Sequence, residues 1–383
     1  MFRAGFTPHL VSGGKLNNGN YQDINAMQPE LSDIHLPWQW QKAAAAALTT
    51  DGVIMVVGAP DSGKSTFCRS VLELAHVHHK TMAFIDGDLG QSHLGPPTTL
   101  GLNFYPPHAP PDCGLQADIL YFIGQTSPPG RMLEIVVGLK RLVTAARRRC
   151  RSIILNTSGY ISGPGALRLK MAKAEALAPQ LGIILRRQEE MKTLLPMLSL
   201  VCPHTQVLPV SPQARQKSWE ERRQYRQLRF AAYFAKARPL QVSLARRGWL
   251  GFPWGQGDPL NPEQKQQVEE IAGVGLKHAE QGGGYAYLIT AEPLTERSQD
   301  QLAAYLAPNR LVLVPWTSLE LRLVGLLEER LLTIALGLLL PSEWDRGQIT
   351  ILTPLPPARL QEVRFLRLGR LRLEPSGQEL PTL

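Results

Sequence analysis

Residues 53–65 read VIMVVGAPDSGKS, an apolar run that turns through glycines into a lysine and a serine. The run 53–57 is short and continuously apolar, the pattern of a parallel strand covered on both faces. Gly58 and Gly63-Lys64-Ser65 keep phosphate-loop spacing, and a helix-forming stretch, 65–76, follows. Such a loop turns its backbone N–H groups inward around a polyphosphate, and glycines permit the turn without a Cβ clash. Lys64 would neutralise the β- and γ-phosphate oxygens, Ser65 would ligate Mg2+, and the helix N-terminus would support the anion. Gly58, Asp61, Ser62, Gly63, Lys64, Ser65 and Thr66 are therefore the candidate binding residues for a nucleoside triphosphate, ATP or GTP.

Outward from this loop, apolar runs at 81–85, 118–123, 152–155, 181–185 and 206–210 alternate with helical stretches at 131–148, 166–178, 188–198 and 214–237. The alternation predicts an α/β fold: a doubly wound parallel-sheet P-loop domain over 36–240. Residues 1–35 mix Gly, Asn and Pro and read as a short N-terminal segment, and 43–47 read as helix surface. Past Pro239 one helix is expected at 262–280. Short strands follow at 285–289, 310–314, 319–324, 331–339, 348–352, 363–366 and 370–373. This texture predicts a smaller β-rich C-terminal domain over 241–383.

A metal beside the loop needs carboxylates, and the run ending at Ile85 leads into Asp86-Gly87-Asp88. Asp88 is the candidate for holding Mg2+, directly or through water, or for accepting a proton from an attacking hydroxyl. Asp86 reads as a turn cap. The other strand end offers Asn156, which supplies no negative charge.

The chain carries 41 Lys and Arg against 32 Asp and Glu, a net +9, and eight basic residues against two Glu fall within 211–240. Arg222, Arg226 and Arg229 share a helix face at i, i+4 and i+7, with Arg215 one heptad earlier. Phosphoryl transfer needs cations around the moving group, and arginine supplies a fixed fork of donors. A helix carrying them, at about 211–238, reads as a lid able to close and exclude water.

Other classes fall away. The longest apolar run, 331–340, is shorter than the ~18 residues a membrane span requires. The first residues lack an apolar signal-peptide core, and four separated cysteines fit reduced thiols, which together predict a cytoplasmic protein. His76, His78 and His79 read as helix-end residues rather than zinc ligands, and Arg147–Arg151 as a basic helix terminus.

Taken together, the motifs resemble the polynucleotide 5′-hydroxyl kinases that include the pre-mRNA cleavage-complex kinase and the rRNA-processing kinase. The resemblance covers about 38–239. It rests on GAPDSGKST at 58–66, DGDLGQS at 86–92 with GPPTT at 95–99, Thr126-Ser127-Pro128, Thr157-Ser158-Gly159-Tyr160, and RRQYRQLRFAAYF at 222–234. It implies ATP and Mg2+ as cofactors and transfer of the γ-phosphate to the 5′-OH end of single-stranded RNA or DNA. Lys64, Asp88, Arg222 and Arg226 are then the implied catalytic residues. Gln91, Thr126, Pro128, Thr157 and Tyr160 are the implied substrate-binding residues, with Tyr160 stacking on a nucleobase where the family usually has Trp. No membrane partner is expected, and no protein partner is specified. Two other readings of the same residues are an ATP-bound scaffold of an RNA-processing complex and a P-loop ATPase switch.

Overall fold

The computed structural model describes residues 36–105, 117–187, 189–243, 247–252, 255, 257–341 and 348–381. The segment 1–35, Cys113 and Trp254 lie outside the described residues. The chain forms two compact units, one running to Ala232 and one spanning Tyr233–Leu383. The sequence reading draws this line at 240, inside a strand of the second unit.

The first unit opens with α1 (Trp38–Thr49) and β1 (Gly52–Gly58), then α2 (Lys64–Val77) and β2 (Met82–Gly87). Next come β3 (Thr99–Tyr105), β4 (Ile119–Phe122), α3 (Met132–Ala146), β5 (Ser152–Thr157) and α4 (Pro164–Leu177). β6 (Leu181–Arg186), α5 (Leu194–Val201), β7 (His204–Pro209) and α6 (Trp219–Phe234) complete the run. The sheet order is β4-β3-β2-β5-β1-β6-β7. From β2 to β7 all pairings are parallel, so the strand ends that follow β1, β2 and β5 lie along one edge. Ligands of such sheets bind outside these carboxyl ends. β3 was not foreseen and pairs antiparallel with both β2 and β4, so the parallel part is narrower than expected.

Helix α1 is a core element. Ala43, Ala44 and Ala47 are buried where a helix surface was expected, because their small side chains let the helix lie close against α2. Trp40 on α1 is buried, donates its indole N–H to Pro209 O at 2.8 Å and meets Phe67 edge-on. The expected helix starting at 188 starts instead at Leu194, after Met191 takes a left-handed φ of 62°. Helix α6 starts at 219 rather than 214. Ser218 and Glu221 form a reciprocal capping box there, Glu221 N–H to Ser218 Oγ at 3.1 Å and Ser218 N–H to Glu221 Oε2 at 2.7 Å.

The second unit holds two sheets. One runs β18 (Glu379–Leu380), β17 (Phe365–Leu373), β14 (Arg322–Leu327), β15 (Thr333–Leu340), β16 (Gln348–Thr353) and β8 (Arg238–Ser243), with β9 (Gly248–Leu250) beside β17. The other runs β10 (Asp258–Pro259), β11 (Leu276–Gly282), β12 (Tyr285–Thr290) and β13 (Arg310–Pro315), and α7 (Pro262–Ala272) and α8 (Glu296–Leu306) share an apolar core with it. The single helix expected at 262–280 ends at Ala272 because Gly273, at φ 68°, caps it. Residues 276–282 then form β11. The strands expected at 363–366 and 370–373 are one continuous β17.

Candidate active site

The phosphate loop is set by two features of its sequence. Asp61 and Gly63 both take left-handed φ angles, 55° and 89°. A Cβ on Gly63 would also lie 2.5 Å from the Trp40 ring, so residue 63 has no room for a side chain. Lys64 is buried, and its ammonium donates to Ala59 O at 2.6 Å, bridging the loop it would share with a phosphate. Burial pushes its pKa down, and the Asp88 and Asp61 carboxylates oppose this.

Strand register fixes the acidic side of the site. Asn156 on β5 lies between Val56 of β1 and Asp86 of β2. Its amide donates to Ser65 Oγ at 3.3 Å and to Asp86 Oδ1 at 3.0 Å. Sequence reasoning set Asn156 aside for lack of charge, yet it ties Ser65 to the acidic motif. Asp86 is fully buried and accepts the N–H groups of Asp88 at 3.1 Å and His93 at 2.6 Å, the turn-capping role foreseen for it. Burial and the charge of Asp88 raise its pKa to about 6. Asp88 accepts the Gly90 and Gln91 N–H groups through Oδ1, at 3.1 and 3.0 Å, so Oδ2 is the oxygen available to a cation.

Helix α6 sits against both motifs. Arg222 forms an ion pair with Asp61, whose same oxygen accepts the Lys217 N–H at 2.9 Å. Tyr225 donates to Ser92 O at 2.9 Å, and buried Arg229 donates to the carbonyls of His93 and Gly95. Gln91 reaches back to Arg222 O at 3.3 Å. Arg226 lies on the same face between Arg222 and Arg229, partly buried. Arg215 precedes the helix and pairs with Glu221 in solvent, so it does not share that face as expected.

The remaining expected substrate residues divide. The Thr126 carbonyl borders Gly90 of the acidic motif, 3.0 Å from where a Cβ there would stand, and Pro128 beside it is buried. Tyr160 is partly exposed in the turn between β5 and α4, whereas Thr157 is fully buried with its hydroxyl engaged internally.

Two residues were missed altogether. The buried stripe of α4 runs Ala166, Leu169, Lys170, Lys173, Ala174, Leu177, with lysines in the middle of an apolar row. That spacing was visible in the sequence, but lysine was taken as surface. Lys173 Nζ has no hydrogen-bond partner among the described residues. Burial lowers its pKa from 10.5 to about 8, with Asp88 opposing. The folded chain therefore binds fewer protons than the unfolded chain between about pH 8 and 10.5, so stability rises with pH across that window. Below pH 8 the full burden of the buried charge is present, on the order of 3 kcal/mol. Lys173→Met is expected to stabilise the fold at pH 7 and to flatten that rise. Urea unfolding at a series of pH values checks it; a variant less stable than wild type at pH 7 contradicts an unpaired ammonium.

Mg2+ takes hard oxygen ligands, usually one or two carboxylates or hydroxyls with water and phosphate. Ser65 Oγ and Asp88 are oxygens of that kind at the same sheet edge, so the donor set fits. Among the described residues no group of three or more His, Cys, Asp or Glu gathers as a metal centre.

Comparison with known proteins gives the family. Residues 58–236 match the family model of the mRNA cleavage and polyadenylation factor CLP1 P-loop. A polyribonucleotide 5′-hydroxyl-kinase of Pyrococcus furiosus is 29% identical over 330 residues, covering 86% of this chain and 90% of the relative. One from Thermococcus kodakarensis is 30% identical over 336 residues, with coverage of 86% and 90%. Clp1 of Gallus gallus is 30% identical over 194 residues, 47% of this chain and 44% of its own. The solved Clp1p chain of a Clp1p–Pcf11p complex has the same fold, with a TM-score of 0.55 at 12% identity over 93% of this chain and 80% of that one. With a relative 30% identical over nine-tenths of its length, the chain belongs to the polyribonucleotide 5′-hydroxyl-kinase family with a CLP1-type P-loop.

Proposed function

We propose that this protein is a polynucleotide 5′-hydroxyl kinase that transfers the γ-phosphoryl group of ATP to the 5′-OH of single-stranded RNA ends, with DNA ends as a second acceptor. One observation carries the reading: the phosphate loop, Asp88 and the arginine face of α6 meet at one sheet edge, joined by Asp61–Arg222 and Gln91–Arg222. The relatives' names supply the acceptor class, polyribonucleotide.

In this reading Gly58–Thr66 hold the triphosphate, and Lys64 exchanges the Ala59 carbonyl for phosphate oxygens. Ser65 and Asp88 would hold Mg2+, which would offset the negative charge of the phosphate oxygens. Asp88 also stands where it can accept the proton of the attacking hydroxyl. Arg222 and Arg226 close on the transferring group, Tyr160 stacks on the terminal base, Gln91, Thr126 and Pro128 border the acceptor strand, and buried Thr157 supports the turn that carries Tyr160. Among the described residues Cys68, Cys150 and Cys202 are buried and unbridged, and no helix is long and apolar enough to cross a membrane. A cytoplasmic setting is part of the proposal.

Incubation with γ-labelled ATP, Mg2+ and a 5′-OH oligoribonucleotide is expected to move label to the 5′ end. Bound ATP without transfer would favour the scaffold reading. Hydrolysis without an oligonucleotide would favour the ATPase switch. Matched RNA and DNA acceptors compared by kcat/KM should favour RNA.

A further inference from the structure

Packing does not explain the lysines of α4. Charged side chains are almost never fully buried without a partner, and taking one out of water costs several kcal/mol, so leucine would serve the apolar stripe better. Lys170, fully buried, spends its ammonium on one short piece of chain. It donates to Thr157 Oγ1 at 2.9 Å and to Ser158 O at 2.6 Å. The Thr157 hydroxyl in turn donates to Val56 O at 2.7 Å, on β1 just before the phosphate loop. Gly159 follows, and a Cβ there would stand 2.6 Å from Pro60 N and 2.8 Å from Pro60 Cα. The turn therefore lies directly on the phosphate-loop backbone, and Tyr160 is its next residue. Polar atoms at the end of β5, Asn156 Oδ1 and Ser158 Oγ, are buried without hydrogen-bond partners among the described residues.

We infer that Lys170 is a positioning residue for the phosphoryl acceptor: its ammonium clamps the turn Thr157–Tyr160 onto the phosphate loop, fixing the base-stacking floor relative to the triphosphate. The inference rests on the kinase reading above, because it assigns the acceptor to this turn. A displacement of about 1 Å between reacting groups lowers rate by roughly 10²-fold. A lysine that merely helped the helix pack would move stability, ATP affinity and acceptor use together. A clamp on the turn moves acceptor use alone. Lys173, one turn further along and equally buried, makes no hydrogen bond to the turn, and so supplies the comparison for loss of a buried charge alone.

The test uses the full chain as Lys170→Met, Lys173→Met and wild type. For Lys170→Met, kcat/KM for a 5′-OH oligoribonucleotide is expected to fall roughly 10²-fold. The Kd for ATP should stay within about twofold, and hydrogen exchange at residues 157–160 should accelerate about tenfold or more. Lys173→Met should keep acceptor kcat/KM within about threefold of wild type. Should Lys170→Met not fold, Thr157→Val removes the hydroxyl that links Lys170 to Val56 and should give the same split between acceptor and ATP. The inference is overturned if exchange at the turn is unchanged, if ATP affinity falls in step with acceptor use, or if both lysine variants lose activity equally. Faster exchange at the turn in a protein whose wild type transfers no phosphate would support the clamp and overturn the kinase reading.

Discussion

Arg226→Ala is expected to lower turnover by roughly 10³-fold or more, the scale of an arginine finger, with ATP affinity little changed. The structure makes this substitution informative. On either side of Arg226 along the same face, Arg222 is held by Asp61 and Arg229 by the carbonyls of His93 and Gly95. Tyr225 adds its own bond to Ser92 O. These contacts remain when the side chain at 226 is lost, so α6 is expected to stay docked while the site loses a positive charge. Arg229→Ala, in contrast, strips the buried Gly95 carbonyl and the part-buried His93 carbonyl of a donor and should lower thermal stability as well as rate. Single-turnover transfer with a calorimetric Kd for ATP separates the two; near-normal turnover in Arg226→Ala would reduce the basic helix to a solvated surface.

For Asp88→Asn the expected loss in kcat is of the order of 10²–10⁴-fold, the range associated with a positioned base. An amide keeps an oxygen for the N–H groups of Gly90 and Gln91, so the turn survives and Tm should stay close to wild type. What disappears is the negative charge, needed equally for a cation and for a departing proton. Transfer rates over a Mg2+ titration test this. A rightward shift in the Mg2+ midpoint points to the metal, and a lower plateau at the same midpoint points to the proton. A variant with wild-type rate at every Mg2+ concentration would remove Asp88 from the mechanism.

The strand, loop and helix around Gly58–Ser65 could be read directly because each carries its own local signal: a short apolar run, a glycine spacing and a helical period. The arginine face of α6 was legible for the same reason. What escaped depended on partners distant in sequence. β3 carries two residues, Gly101 and Asn103, that disfavour strands locally, and its pairing on both sides decides its state. The alanines of α1 gave no period, and only the neighbouring helix determines which of them is covered. Lys277–Glu280 looked like a continuation of α7 until Gly273 stopped it and β12 claimed the segment. In the site, Asn156 and Lys170 act through hydrogen bonds to Ser65, Asp86, Thr157 and Ser158. Residue type alone conveys little about such roles.

Asp61 places an acid inside a loop made for anions, and that has a thermodynamic consequence. In the proposed kinase, a guanidinium N–H that Arg222 turns from Asp61 toward a phosphoryl oxygen is shared between nucleotide binding and helix docking. Two equilibria that share a group are linked, and the linkage is reciprocal: whatever docking takes from nucleotide affinity, nucleotide takes from docking by the same factor.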